Sequence, residues 1–520
     1  MKKITYQILG LLFVLGTTLS SCDKGFEEIN TDPINILSTT PDKLLAPALV
    51  NTLSAGMSRN RSFNNELMQV TVSLSDGDGT VFRYEYRRTW SDYLWNSWYV
   101  QLNNFKDIYI LAKQPENLNT SYQGISLICQ AWVASMLTDT YGDVPFKEAG
   151  EGKNGKLEPV FDRQKDIYLD LFNKLEEANT LLGKGQEITA LGDPVYKGDV
   201  TKWRKFGNSL YLRLLMRVSG KSEVAAMSIA KIKEILDTKA SDYPVINSNA
   251  ESAVLKWSGQ GGSGPYVNPY YNGVRAQDFR APSICKFFID HLRDWQDPRI
   301  DISTYGTGGV NRLGINPGST GFSGVPSGYA IGTNLNRLSY FYSYDQLISD
   351  VAVGNKSLQQ SATTGILLNY AELQFIRSEA ALKGWTSASA EEHYNKGIAA
   401  AINYWVPAFS ADPSSAAFNK YVTEADINWD ASLNTEGKME QIHLQKYYAL
   451  FLVDMQQWFE YRRTGHPVLP KGAGLRNNGV MPARMSYPVY VQSANPTNYK
   501  LALSAQGADE ISTNVWWQKP

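Results

Sequence analysis

The stretch SYQGISLICQAWVASML, residues 121–137, places apolar side chains on two faces of one helix. Ile125, Ile128 and Trp132 fall on one face, and Leu127, Ala131 and Ala134 on the other. A helix apolar on both sides must lie between neighbours, since either face left in water loses its burial. The flanking segments supply those neighbours. Arg87–Ala112 precedes it as a long predicted helix. Asp162–Leu182 follows, with Tyr168, Leu171, Leu175, Ala178 and Leu182 spaced by threes and fours and Asp162 as its expected N-cap. Lys202–Val218 and Val224–Leu236 continue the pattern. Helical spacing also begins at Pro41, recurs over Glu66–Leu74, and returns late in Gly365–Lys383, Glu391–Tyr404 and Lys438–Arg463. Helices in antiparallel pairs that cannot cover their own apolar faces predict a mostly α fold, a tetratricopeptide-like scaffold of helical pairs.

The span 257–345 breaks this pattern. It holds 14 of the 41 glycines and 15 aromatic residues, and only Pro282–Trp295 keeps a helical period. It reads as a loop-rich insertion laid over the scaffold, where functional contacts concentrate. Residues 75–86 (SDGDGTVFRYEY) read as a second exposed loop. Trp90, Tyr93 and Trp98 follow helical spacing and are expected in the core.

The N-terminus has Lys2 and Lys3, an apolar run from Ile8 to Leu19, and then Ser20-Ser21-Cys22. That order is a secretory signal over residues 1–21, too short to span a membrane. Leu19-Ser20-Ser21-Cys22 resembles the bacterial lipobox, which implies lipidation of Cys22. Residues 22–40 then form a lipidated, extended lead-in, and 41–520 a single domain.

Composition and motifs exclude more than they select. A formal charge of −1 over 520 residues leaves no basic stripe for nucleic acid. Beyond Cys22 only Cys129 and Cys285 remain; Cys129 sits in an apolar helix as a buried thiol, and a Cys129–Cys285 pairing stays open. Residues 259–264 spell GQGGSG but lead into Pro265 and Pro269 rather than into a helix, so no dinucleotide cradle follows. His291, His393, His443 and His466 lack metal-ligand spacing, and Asp76-Gly77-Asp78-Gly79 lacks the rest of a Ca²⁺ loop. No metal, cofactor or catalytic residue is assigned. Glu372 and Glu379, seven residues apart on one helix, lie about 10 Å apart along its axis, near the outer limit for a carboxylate pair in glycoside hydrolysis. They support an alternative reading as a surface-anchored hydrolase of glycans or peptides.

Several stretches together resemble the RagB/SusD family of nutrient-binding lipoproteins, in its SusD-like branch. They are the lipobox with Phe26 and Asn30-Thr31-Asp32-Pro33, TDTYGDVPF (138–146), GDVTKWRKFGNSLYLRLLMRVSG (198–220), NYAELQFIRSEAALKG (369–384), QKYYALFLVDMQQWFEYRRTGHP (445–467), RMSYP (484–488) and the final Trp516-Trp517. The resemblance implies a lipid-anchored outer-membrane protein exposed at the cell surface. It would bind an oligosaccharide or peptide and act as the lid of a TonB-dependent, SusC-like transporter, without catalysis. A purely structural envelope lipoprotein is a third reading. The expected ligand face is 75–86 with 257–345. There Asp76, Asp78, Arg83 and Tyr84 would supply polar contacts. Tyr266, Tyr270, Tyr271, Arg275, Trp295, Tyr305 and Tyr329 would supply stacking faces and a cationic edge.

Overall fold

The helix read from residues 121–137 runs from Thr120 to Tyr141, and every residue after the first is buried. This computed structural model of the chain describes residues 39–77, 79–258, 264, 266–348, 351–352 (backbone only) and 356–519. The signal segment, Cys22, the Asn30–Pro33 lead-in, Asp78 and most of the 259–264 run lie outside those residues. Residues from Pro41 onward form one compact unit.

Its helices are α1 (Pro41–Arg59), α2 (Trp90–Leu111), α3 (Thr120–Tyr141), α4 (Gln164–Leu182), α5 (Val200–Val218), α6 (Ala225–Lys233) and α7 (Lys286–Asp294). They continue with α8 (Tyr370–Leu382), α9 (Ala390–Trp405), α10 (Ala416–Glu424), α11 (Thr435–Ala449), α12 (Gln456–Thr464) and α13 (Pro496–Gln506), short ones being left unlabelled. Consecutive helices α1 to α5 pack side by side, α8 packs on α9 and α11, and α5 joins the two blocks through α8. The fold is mostly helical, with strand pairs only two to four residues long.

Local chemistry sets the helix starts. Asn119 Oδ1 accepts the Ser121 and Tyr122 N–H groups at 2.9 and 3.0 Å, Asp199 caps α5 through Lys202, and Ser389 caps α9 through Glu392. Gly124 lets α4 approach α3, because a Cβ there would stand 2.7 Å from Leu182 Cγ.

The structure corrects several sequence expectations. Asp162 does not cap α4: its carboxylate accepts the Phe146 and Lys147 N–H groups, and Asp143 caps the helix instead, through Gln164 N at 2.9 Å. Gly365–Leu368 is not helix but a strand paired with Ala253–Leu255, and α8 starts only after Asn369 caps Glu372. The expected helix 438–463 is two helices. Leu452 and Asp454 take φ of 66° and 31°, and the Asp454 side chain accepts from Met455 N and Gln456 Nε2, competing with the helical ladder. The period over 66–74 gives way after Leu67 to a strand, Thr71–Val72, paired with Ser283–Ile284, which also delays α7 to Lys286. Within the loop 75–86, Val81 to Tyr84 are buried. Trp98 is core, whereas Trp90 is half-buried and Tyr93 is 40% exposed, both beneath the Arg59 guanidinium. Cys129 and Cys285 are separate buried thiols.

Ion pairs tie the helical blocks together inside the core. Arg213 of α5 clamps Glu372 of α8 with two 2.6 Å contacts, and both side chains are at most 2% exposed. Asp139 of α3 accepts from Tyr168 Oη at 2.7 Å and Trp517 Nε1 at 2.8 Å, with Arg217 Nε 3.6 Å away. Burial pushes the Asp139 carboxyl up, against the pull of Arg217.

Removing one member of a buried pair strands its partner. Arg213→Met should cost about 3–5 kcal/mol, while adding Glu372→Leu should recover more than half of that loss. Urea unfolding of the three proteins checks this, and a double variant no better than the single one contradicts it.

Candidate functional site

Of the residues expected to bind ligand, the structure brings Asp76, Arg83 and Tyr329 together. Arg83 is buried, and its Nε, Nη1 and Nη2 donate to Tyr329 O (2.9 Å), Thr80 Oγ1 (3.4 Å) and Asp76 Oδ1 (2.8 Å). Its guanidinium lies 4.7 Å from the Phe82 ring and 4.8 Å from the Tyr329 ring, which themselves stack at 4.9 Å. Asp76 also accepts Gly332 N–H at 3.1 Å, and its bond from Arg83 holds its carboxyl below the usual range. The cluster staples loop 73–84 to 327–332. Its donors and ring faces are spent on one another.

The other expected residues scatter. Tyr84, Tyr270 and Trp295 are buried in the main core, Trp295 against Tyr448 and His291. Tyr305 packs on Phe409 and Tyr266 is half-buried. Tyr271 tilts against Tyr344, with ring centroids 4.7 Å apart, and Arg275 is exposed in a pair with Asp278. No common concavity collects them among the described residues.

The carboxylates of the hydrolase alternative are sealed into the scaffold. Glu372 belongs to Arg213, and Glu379 is fully buried against Arg463, Lys383 and His443. Burial alone would raise Glu379, but Arg463, with help from His443 and Lys383, holds it well below the carboxylate range. Glu379, His443 and Glu460 converge closely enough to suggest a metal trio. Arg463 and Lys446 already neutralise those carboxylates, so a divalent ion would enter against fixed positive charge.

A polar cavity of about 260 Å³ lies between the insertion and the end of α9. Thr307, Asn311 and Arg312 line it from one side, Lys356, Ser361 and Thr363 from another, and Tyr404 and Trp405 form an aromatic wall. The Trp405 ring rests on Phe451, with centroids 5.9 Å apart, and Tyr404 Oη donates to Thr363 O at 2.6 Å. Asn311 is fixed by paired bonds with the Ile315 backbone, so it shapes the floor rather than offering free donors. An aromatic face beside hydroxyls and cations suits a polyhydroxylated ring. Sequence reasoning missed all of these residues. The available signal was Tyr404-Trp405 at the end of a predicted helix, just before Val406-Pro407. A larger cavity of about 470 Å³ lies beside Phe287 and His291, but its Lys286, Asp290 and Asp294 are paired with one another or with Arg293.

Comparison with known proteins identifies relatives of the whole chain. Residues 33–488 match the SusD-like family described as "Starch-binding associating with outer membrane". Similar solved structures include a SusD homologue from Bacteroides fragilis, 23% identical with a TM-score of 0.73, covering 93% of this chain and 100% of that one. A chitin-binding protein is 26% identical with a TM-score of 0.72 (92% and 100% covered). A chitin-binding SusD homologue from Flavobacterium johnsoniae is 22% identical with a TM-score of 0.70 (92% and 96%). No curated protein sequence matches.

Beneath the Arg83 staple, Glu66 accepts Phe82 N–H at 3.3 Å, and burial pushes its carboxyl up to about 7 despite Phe82 N–H and Arg61. Its folded pKa exceeds the unfolded one, so the stability it contributes is complete below about pH 4.5 and is lost as pH rises through 7. Glu66→Gln should remove that loss. Relative to the parent, the variant should gain up to ~1.4 kcal/mol per pH unit between pH 4.5 and 7. Unfolding curves at pH 5 and 8 check it; an unchanged difference contradicts it.

Proposed function

The chain belongs to the SusD-like family, and on that premise we propose that it is a cell-surface lipoprotein, anchored through Cys22, that captures an oligosaccharide at the Trp405 cavity. It hands the sugar to a TonB-dependent, SusC-like transporter, for which it serves as the lid, and it leaves the sugar's bonds intact. The observation that carries this reading is the cavity itself, an indole wall facing hydroxyl groups and cations. Two of the structural neighbours are described as chitin-binding, which favours a glycan over a peptide. Sealing of Glu372 and Glu379 into Arg213 and Arg463 supports binding without hydrolysis. Among the described residues no helix is long and apolar enough to cross a membrane; in this reading the acylated Cys22 provides the attachment, its several chains each adding ~0.8 kcal/mol per buried CH₂.

Trp405→Ala should weaken binding of the oligosaccharide found on a glycan array about 30-fold, since a central aromatic contact contributes roughly 2 kcal/mol. Titration calorimetry reads the change, and product analysis of the same mixtures should find no cleavage. Unchanged affinity, or turnover, contradicts the reading. Cys22→Ala should move the protein from the membrane fraction to the soluble one, and retention in the membrane would remove the anchor from the account.

A further inference from the structure

Among the described residues, the charges lining the Trp405 cavity are of one sign: Arg312 and Lys356 line it, and no Asp or Glu does. Neither cation has a carboxylate partner among the described residues, unlike the buried Arg213 and Arg299, which Glu372 and Asp297 claim. Arg312 Nε is shut away from solvent and has no hydrogen-bond partner among the described residues. The backbone makes room for the second cation. Gly308 and Gly309 take φ of 58° and 77° in the turn that bridges Thr307 to Val310. A Cβ on Gly308 would stand 2.2 Å from Lys356 Nζ, so the ammonium lies against this turn.

We propose that this cavity selects an acidic glycan, one carrying a carboxylate or sulfate, over a neutral one. The inference rests on the glycan-binding reading above and assigns its ligand class. The planar guanidinium of Arg312 presents a fork matched to two oxygens of an anionic group, and Lys356 adds a point charge in the same cavity. A low-dielectric cleft lined by a single sign of charge concentrates counter-charged ligands. Trp405 holds the ring whose substituent the two cations read. A neutral sugar would leave both cations facing water or weak hydroxyl acceptors, whereas an anion supplies them with a charged acceptor.

The test uses the full mature protein, titrated with an oligogalacturonide, its carboxyl-reduced counterpart, a sulfated carrageenan oligosaccharide and a chito-oligosaccharide. At least one acidic probe should bind ten-fold or more tighter than the neutral ones. The uronate and sulfate arms show which anion is meant. Arg312→Gln and Lys356→Met should each weaken acidic binding about ten-fold, and weaken neutral binding by less than that. For the unaltered protein, acidic affinity should fall as salt rises from 50 to 300 mM, a readout independent of how the variants fold. Neutral probes that bind as tightly as acidic ones, with Trp405→Ala still destructive, overturn the charge selection and leave glycan capture standing. Binding that ignores Trp405→Ala, or failure of every oligosaccharide to bind, overturns both.

Discussion

Charge buried inside the helical stack is the constraint on which the rest of this structure depends. Asp139, Arg217 and Arg462 meet with Tyr168 and Trp517 where α3, α4, α5, α12 and the C-terminal segment converge. Arg462 donates through Nη2 to Asp139 O at 2.7 Å while its guanidinium covers the rings of Trp458 and Trp517. Burial lowers Arg462 to about 9. Such groups are costly to desolvate and tolerate only one arrangement of partners, so they fix register where apolar packing alone would allow sliding.

A second cluster, Glu379, Glu460, Arg463 and Lys446, plays the same part between α8, α11 and α12. Arg484 and Asp509 bind the C-terminal strap onto the stack, with Arg88 reaching Asp509 from the start of α2. Segments far apart in the chain are thereby held as one frame. The insertion inherits that rigidity where it meets α9 and the strand pair 253–255 with 365–368. A cavity at this seam is lined by the end of α9 on one hand and by loop residues on the other.

The helical frame was legible because its signal is periodic. The two apolar faces of 121–137 and the spacing of Tyr168, Leu171 and Leu175 report burial directly. The motifs quoted for the family resemblance are the same residues that form the buried pairs: Asp139, Arg213, Arg217, Glu372, Glu379, Arg462 and Arg463. Where the period misled, a side chain bonded locally to the backbone. Asp454 broke one expected helix, and Asn369 postponed the start of another. The cavity was not legible. Arg83 and Tyr329 look like binding groups in sequence, and only three dimensions show that they satisfy each other. Trp405, Arg312 and Lys356 come from three separate segments, and nothing local marks them as facing one space. Loop position pointed to the insertion, but only the folded chain shows which of its side chains are already paired with one another.

The account places sugar capture at the junction of α9 with the insertion, away from the Arg83 staple. A crystal structure of the protein with its bound oligosaccharide tests that most directly. The account predicts a sugar ring lying on the Trp405 indole, within hydrogen-bond reach of Arg312 or Lys356, with its glycosidic bonds whole. A ring seated instead at Tyr329 and Asp76, or beside His291, would contradict it, as would cleaved sugar in the density.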